Sequence, residues 1–330
     1  MGFSVAIANN IRANQSAEYQ ARIPEATQEN FLTVGMALVK YDMLFNEFFP
    51  TLFNKIGKTY IEGLLFNNKL AKYKSGTILS QQDVEEIFVE MLSAEGAYDN
   101  KGPNPLGRRA EPNVKTAYHR MNRQDYYAMS VGDIDVLRVF RSEATMDAFI
   151  TAKFNALYSG AEYDEWLFMK KLLATYDGYY NQQVTPITDE ASARDFLRTV
   201  RKLSQDITFV SDKYNKAGVK TKTDKAKQVL FINKDVLAHV DVDVLAKTFN
   251  MGKTDIQITI EVMDDFGDLA DTYGLLVDEN IIKVWDTLSK MEPQRNAQGL
   301  FTNYFYHVHQ ILSMSPFKNA IRLTTADVQA

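Results

Sequence analysis

Two of the chain's four histidines stand two residues apart in "NYFYHVHQIL", Asn303 to Leu312. On a strand, side chains alternate, so His307 and His309 share a face with Phe305 and Ile311 while Tyr304, Tyr306, Val308 and Gln310 face the other way. A shared face is what a metal ion requires. A complete site would still need a third ligand, and no H-E-x-x-H element supplies one. The competing reading is a polar pair amid ring packing.

Other candidate chemistry fails on spacing. Gly57-Lys58-Thr59 and Gly252-Lys253-Thr254 resemble the end of a phosphate loop, but the glycine needed five positions earlier is replaced by Leu52 and Lys247. Asp241 and Asp243 alternate like calcium ligands, yet Leu245 and Ala246 follow where an EF-hand needs oxygen and glycine. Asp264, Asp265 and Asp268 read as a turn after a strand. Without cysteine there is no thiol catalysis, no thiolate zinc site and no disulfide. No G-x-S-x-G elbow occurs, and His119 and His239 lie in unrelated contexts, so nothing assembles a catalytic triad. The residues therefore predict a non-enzyme with no cofactor.

Thirty-seven basic against 42 acidic residues give a formal charge of -5, which disfavours a surface that adheres as a whole to nucleic acid. No apolar run has the length of a membrane span, no basic leader precedes one, and Ala6 stands where a myristoylation signal needs Ser or Thr. A cytosolic chain without membrane contact is expected.

The elements read as follows. The first thirty residues show no sustained apolar period and read as an arm. Phe31, Val34, Leu38, Tyr41, Phe45 and Phe48 form a helical stripe up to Pro50. "NNKLAKYKSG" is basic and turn-prone, and Ser80 with Asp83 reads as a helix start, with Val84, Ile87, Phe88 and Met91 buried. The segment around Gly102, Pro103, Pro105, Gly107 and Pro112 is a long loop, which in a compact domain suggests contact with something else. Lys69, Lys72 and Lys74, with Arg108 and Arg109, alternate in sequence with Asp83, Glu85, Glu86 and Glu90, a mixture suited to protein contacts. Ser142 to Tyr176 predicts a long scaffold helix with a kink or C-cap at Gly160, and Glu162, Asp164 and Glu165 preceding Lys170 and Lys171 suit its dipole. "ASARDFLRTVRKLSQ" predicts a helix, "KQVLFI" a buried strand, "KDVLAHVDVDVLAKTF" a helix, Ile256 to Val262 a half-buried strand with Ile256, Ile258, Ile260 and Val262 inward, and "YGLLVD" a strand; "NIIKVWDTL" stays ambiguous. The mixture predicts an α+β fold.

Several segments carry a resemblance that the chemistry does not: "AEPNVKTAYHRMNRQDYYAMSV" (Ala110 to Val131), "HVDVDVLAKTFNM" (His239 to Met251), "YGLLVDENIIKVWDTLSKMEPQRNAQGLFTNYFYHVHQILSMSPFKNAIRL" (Tyr273 to Leu323), and "LFNNKLAKYKSG" followed by "VEEIFVEM". In this order they resemble the major head protein of podoviruses of the phi-29 type. The resemblance implies the Hong Kong 97-like tailed-phage capsid fold: an N-terminal arm over 1–30, a helical segment over 31–66, an E-loop over 67–129, a peripheral domain with its spine helix over 130–190, an axial domain over 191–298, and strands over 299–330 returning to the peripheral domain under the spine. It implies pentamers and hexamers closing into an icosahedral or elongated head around double-stranded DNA, with a scaffolding protein and a portal as partners, assembled in the host cytoplasm. Lys69, Lys72, Lys74, Arg108, Arg109, Pro103 and Pro105 then become candidate subunit contacts, and Gly160 and the Asn100 to Pro112 tip candidate joints. An acidic chain would avoid sticking to packaged DNA. Relatives of this type carry a further immunoglobulin-like domain, which is not expected here. His309 falls where the family pattern has a large aromatic, which implies a ring in packing rather than a ligand. A nanocompartment shell protein of the same fold and a His-dependent metalloenzyme using His307 and His309 are the alternatives.

Overall fold

The computed structural model describes residues 3–41, 43–44, 47–48, 51–52, 66–78, 82–92, 112–132, 134–135, 143–240, 258–269 and 271–327, the side chains of 3–4, 143–155 and 190 excepted. Two sheets share one long helix. The first sheet has the order β1 (Gly76–Thr77), β9 (Ile282–Asn296), β10 (Phe301–Met314), β4 (Met121–Gly132). The second runs β5 (Tyr180–Gln183), β11 (Ala320–Thr324), β8 (Thr272–Asp278), β6 (Gln228–Asn233), β7 (Thr259–Met263). A separate hairpin pairs β2 (Val84–Val89) with β3 (Val114–His119). Among the described residues the helices with defined bounds are α1 (Phe3–Ala13), α2 (Ala17–Arg22), α3 (Phe31–Lys40), α4 (Glu143–Thr175), α5 (Glu190–Asp206) and α6 (Lys234–His239).

The second sheet is apolar on both faces because both are covered. On one face Leu230, Ile232, Leu276, Ile321 and Leu323 pack against Phe196, Leu197 and Val200 of α5. On the other, Val229, Phe231, Leu275 and Val277 meet Met169 and Leu173 at the C-terminal end of α4. Alternation along β6 and β8 sends successive residues to opposite layers, which is why "KQVLFI" reads as an unbroken apolar run. A third core joins α1 and α3 to Tyr304, Met291, Val131 and Leu157.

The predicted spine matches α4 within a residue at each end. Gly160 is not a cap, since the helix continues through it. A Cβ added at Gly160 would meet nothing within 4 Å. Gly160→Ala is therefore expected to raise stability by about 0.5–1 kcal/mol, seen as a higher melting temperature of the isolated chain. A lower one would mean that the glycine is needed for a bend.

Other differences have physical causes. Residues 3–30 include α1 and α2 and are docked, with Val5, Ala8, Ile11, Tyr19 and Ile23 all buried; small alanines had diluted their apolar signal. The helix from Phe31 is interrupted at Tyr41, which is extended, and helical residues resume at 43–44, 47–48 and 51–52, where Leu44, Phe48 and Leu52 are buried in the same core. The expected helix from Ser80 is instead strand β2 from Val84. β7 keeps Ile258 buried before it and Met263 buried at its end but leaves Val262 51% exposed, as an edge strand covered on one side allows. "NIIKVWDTL" resolves into a 3-10 turn over Glu279–Ile281 and then β9. β9 lies beside β10, so 282–296 belongs to the first sheet, whereas 180–183 and 320–324 belong to the second. The partition into 130–190, 191–298 and 299–330 thus does not follow the sheets.

Candidate assembly site

Residues 84–89 form a strand because their alternation sorts them by face. Val84, Glu86 and Phe88 turn inward, while Glu85, Ile87 and Val89 turn out. Across the hairpin, Lys115, Ala117 and His119 share the inner face and Val114, Thr116 and Tyr118 the outer one.

The inner face seats the hairpin on its own chain. Phe88 stacks on Phe317 with ring centroids 5.6 Å apart, and the Lys115 ammonium donates to the Ala217 carbonyl at 2.8 Å. His119 is buried between the Glu86 carboxylate, 3.2 Å from its Nε2, and the Ser313 hydroxyl, 2.7 Å from its Nδ1. With Nε2–H facing Glu86, Nδ1 is left to accept from Ser313. Burial works to raise the Glu86 carboxyl, but hydrogen bonds from His119 and Ser315 and the Lys283 ammonium outweigh it, so its pKa is lowered. Among the described residues the outer face has no such cover: Ile87, Val89, Val114 and Tyr118 are 58, 55, 50 and 61% exposed.

The stem of the hairpin is fastened by a buried polar cluster. Glu165 of α4 accepts from Asn68 Nδ2 at 2.8 Å and Lys74 Nζ at 2.9 Å, and from Gln310 Nε2 of β10. Lys74 also pairs with Asp286 of β9 at 2.7 Å. Arg123 of β4 donates to Gln310 Oε1 at 2.6 Å, to Asp125 at 2.7 Å and to the Tyr127 hydroxyl at 2.9 Å, and Tyr127 donates to Asp164 at 2.7 Å. Burial, then the Glu165 carboxylate, push the neighbouring Glu162 carboxyl up. The cluster ties the long helix, the first sheet and the chain entering the hairpin into one unit. A fully partnered buried network of this kind fixes geometry more than it adds net stability.

The sequence-derived candidates divide accordingly. Lys74 is not a surface contact, because its ammonium is turned into the chain's own cluster. Lys72 pairs with Glu261 while remaining half exposed, and Lys69 is exposed. Arg108, Arg109, Pro103 and Pro105, the two Gly-Lys-Thr tripeptides, and Asp241 and Asp243 lie outside the described residues. Asp264 and Asp265 hold Lys170 at 2.9 and 2.6 Å and form the expected turn at Gly267. The dipole reading of Glu162 and Glu165 fails because they sit mid-helix in α4, more than five turns from its start. Glu165 lies four residues before Met169 and eight before Leu173, on the buried stripe, and that spacing was the overlooked signal for the cluster.

His307 and His309 do share a face, with ring centroids 6.4 Å apart. Their cross-strand neighbours are Tyr126 and Gln124 on β4 and Lys290 and Leu288 on β9. Tyr126 packs on the His307 ring at 6.1 Å. Among the described residues no three His, Asp or Glu side chains gather to hold a metal ion.

A long helix laid across one sheet and ending on a second, with an outstanding hairpin, is the architecture of the tailed-phage capsid proteins, the Hong Kong 97-like fold. The capsid of Staphylococcus phage Andhra superposes with a TM-score of 0.65 at 14% identity, covering 79% of this chain and 85% of that one. The sequence names the family more closely: the chain belongs to the Phi29-like phage major capsid proteins, whose family model matches residues 8–324. It is 34% identical to the major capsid protein of Bacillus phage B103 over 97% of this chain and 73% of that one, and 34% identical to that of Bacillus phage PZA over 98% and 73%. This membership favours neither the metalloenzyme nor the nanocompartment alternative.

Proposed function

We propose that this major capsid protein builds the shell through its hairpin, laying the outer face of β2 and β3 on a neighbouring copy. The observation that carries the reading is that face: four large apolar side chains, each at least half exposed, on an element whose other face is seated and whose stem is locked. An exposed apolar patch on a rigid element marks an interaction surface. Donor and acceptor on the same chain make a head-to-tail contact, and such contacts close into rings where the rotation between copies closes. Pentamers and hexamers then close an icosahedral or elongated head around double-stranded DNA, formed in the host cytoplasm on a scaffolding protein and around a portal. The role is structural and needs no catalytic residue.

In this reading the E-loop expected over 67–129 is carried by β2 and β3, while β1 and β4, near the ends of that range, belong to the first sheet. The first sheet with α4 is the peripheral domain, including β9, and the second sheet with α5 is the axial domain, including β5 and β11. Lys69, Lys72, Arg108, Arg109, Pro103 and Pro105 remain contact candidates, while Lys74 holds the stem. Deleting residues 100–112 tests the assignment. Shell yield on sedimentation is expected to fall at least tenfold while the chain stays folded, and an undiminished yield would remove the segment from the E-loop.

A further inference from the structure

The inner face of the hairpin rests on two different supports. Its stem half sits on the first sheet: His119 Nδ1 lies 2.7 Å from the hydroxyl of Ser313 on β10, and the Glu86 carboxylate lies 3.4 Å from the ammonium of Lys283 on β9. Its far half sits on connections of the second sheet. Phe88 stacks on Phe317, in the link from β10 to β11, and the Lys115 ammonium, flanked by Glu90 at 3.4 Å, donates to the Ala217 carbonyl at 2.8 Å. Ala217 belongs to a braced loop. Its N–H donates to the Pro316 carbonyl at 3.0 Å, the Asn215 side chain bonds the N–H and the carbonyl of Val219 at 2.8 and 2.7 Å, and the Tyr214 carbonyl accepts from the N–H of Ala320 on β11 at 2.8 Å. The carbonyl that Lys115 meets is therefore a fixed point of the second sheet.

The two supports differ in strength. His119 is 2% exposed with both ring nitrogens partnered, whereas the Lys115 side chain is 35% exposed. We propose that Lys115 is the positioning residue of the assembly contact: through the Ala217 carbonyl it fixes the angle at which the hairpin, hinged at its buried stem, presents its outer face. The inference rests on the assembly reading above and names the group that aims its surface. Between the pair Val84 with His119 and the pair Val89 with Val114 lie ~17 Å of strand, so a tilt of about 10° at the stem carries the far end about 3 Å. Close-packed contacts do not absorb a shift of that size. A cationic donor suits the task, because its bond to a carbonyl is stronger than a neutral one and holds the hairpin without covering the outer face.

The chain has no cysteine, so spin labels on Thr116→Cys and Lys202→Cys, exposed positions on the hairpin and on α5, report the distance from the hairpin to the second-sheet layer by double electron–electron resonance in the unassembled full-length chain. One narrow distance is expected without further change. Lys115→Met should add a second, tilted population, raised roughly tenfold by loss of one charged hydrogen bond, while the melting temperature changes little. The same variant should lower the yield of shells or spread their diameters in electron micrographs. Lys115→Arg, which keeps a cationic donor, should restore both the narrow distance and the shells. Should the methionine variant fail to fold, Lys115→Gln gives the same reading. An unchanged distance would overturn the proposal, and with a lost shell yield it would make Lys115 a contact with a neighbour instead. A tilted population that still builds shells of parental size and yield would overturn it as well. Aspartates at Ile87 and Tyr118 test the outer face separately, so a failure of Lys115 as the positioning residue is distinct from a failure of the assembly reading.

Discussion

Glu165→Ala is expected to destabilise the chain by about 3–5 kcal/mol, read as a lower urea midpoint of the unassembled protein. The residue is 5% exposed and accepts hydrogen bonds from three side chains on two segments, Asn68 and Lys74 on the chain entering the hairpin and Gln310 on β10. Its loss leaves the Lys74 ammonium with Asp286 alone and the amides of Asn68 and Gln310 short of an acceptor, and leaving buried donors unmet costs more than the net worth of the bonds. Glu165→Gln keeps the shape and one acceptor, and is expected to fall between the two. An alanine variant as stable as the parent would show that the cluster does not secure the stem of the hairpin.

Shell yield should collapse, by at least tenfold, in the double variant I87D/Y118D, while the melting temperature of the unassembled chain changes little. Both positions lie on the outer face of the hairpin, away from the Phe88, Lys115 and His119 seat. Each large apolar side chain buried at an interface contributes on the order of 1–2 kcal/mol, and an ionised aspartate there adds a desolvation cost. In the proposed contact every copy would donate the same face, so the loss would be repeated at each contact around a ring. Electron micrographs after sedimentation measure the yield, and shells in parental amounts would rule the outer face out as a contact.

Long elements were legible from residues alone. The spine was found because a 33-residue helix gives many turns of pattern, and β6 and β8 because apolar runs bounded by polar residues signal buried strands. The hairpin was misread because Val84, Ile87, Phe88 and Met91 fit a helical spacing over barely two turns, a length at which Val84, Glu86 and Phe88 fit a strand equally well. Its inward face contains Glu86, Lys115 and His119, charges that a hydrophobicity pattern sends to solvent and that only their mutual contacts make tolerable inside. The same reason hid Glu165, Gln310 and Arg123. Pairing across 145 residues, as between Gln310 and Glu165, leaves no local trace. Family and fold came from the resemblance of whole segments, not from chemistry, since an assembly surface has no fixed motif. The His307 and His309 pair shows the converse: spacing correctly placed both on one face, and neighbours such as Tyr126 and Leu288 decide what that face is.

The most direct test of a shell-building chain is the mass distribution of the purified protein by light scattering over rising concentration, with electron micrographs of the heaviest fraction. Rings of five and six copies or closed particles are the expected result, appearing either with the protein alone or on addition of the scaffolding protein proposed above. A strict monomer at every concentration, with and without scaffold, would contradict the account.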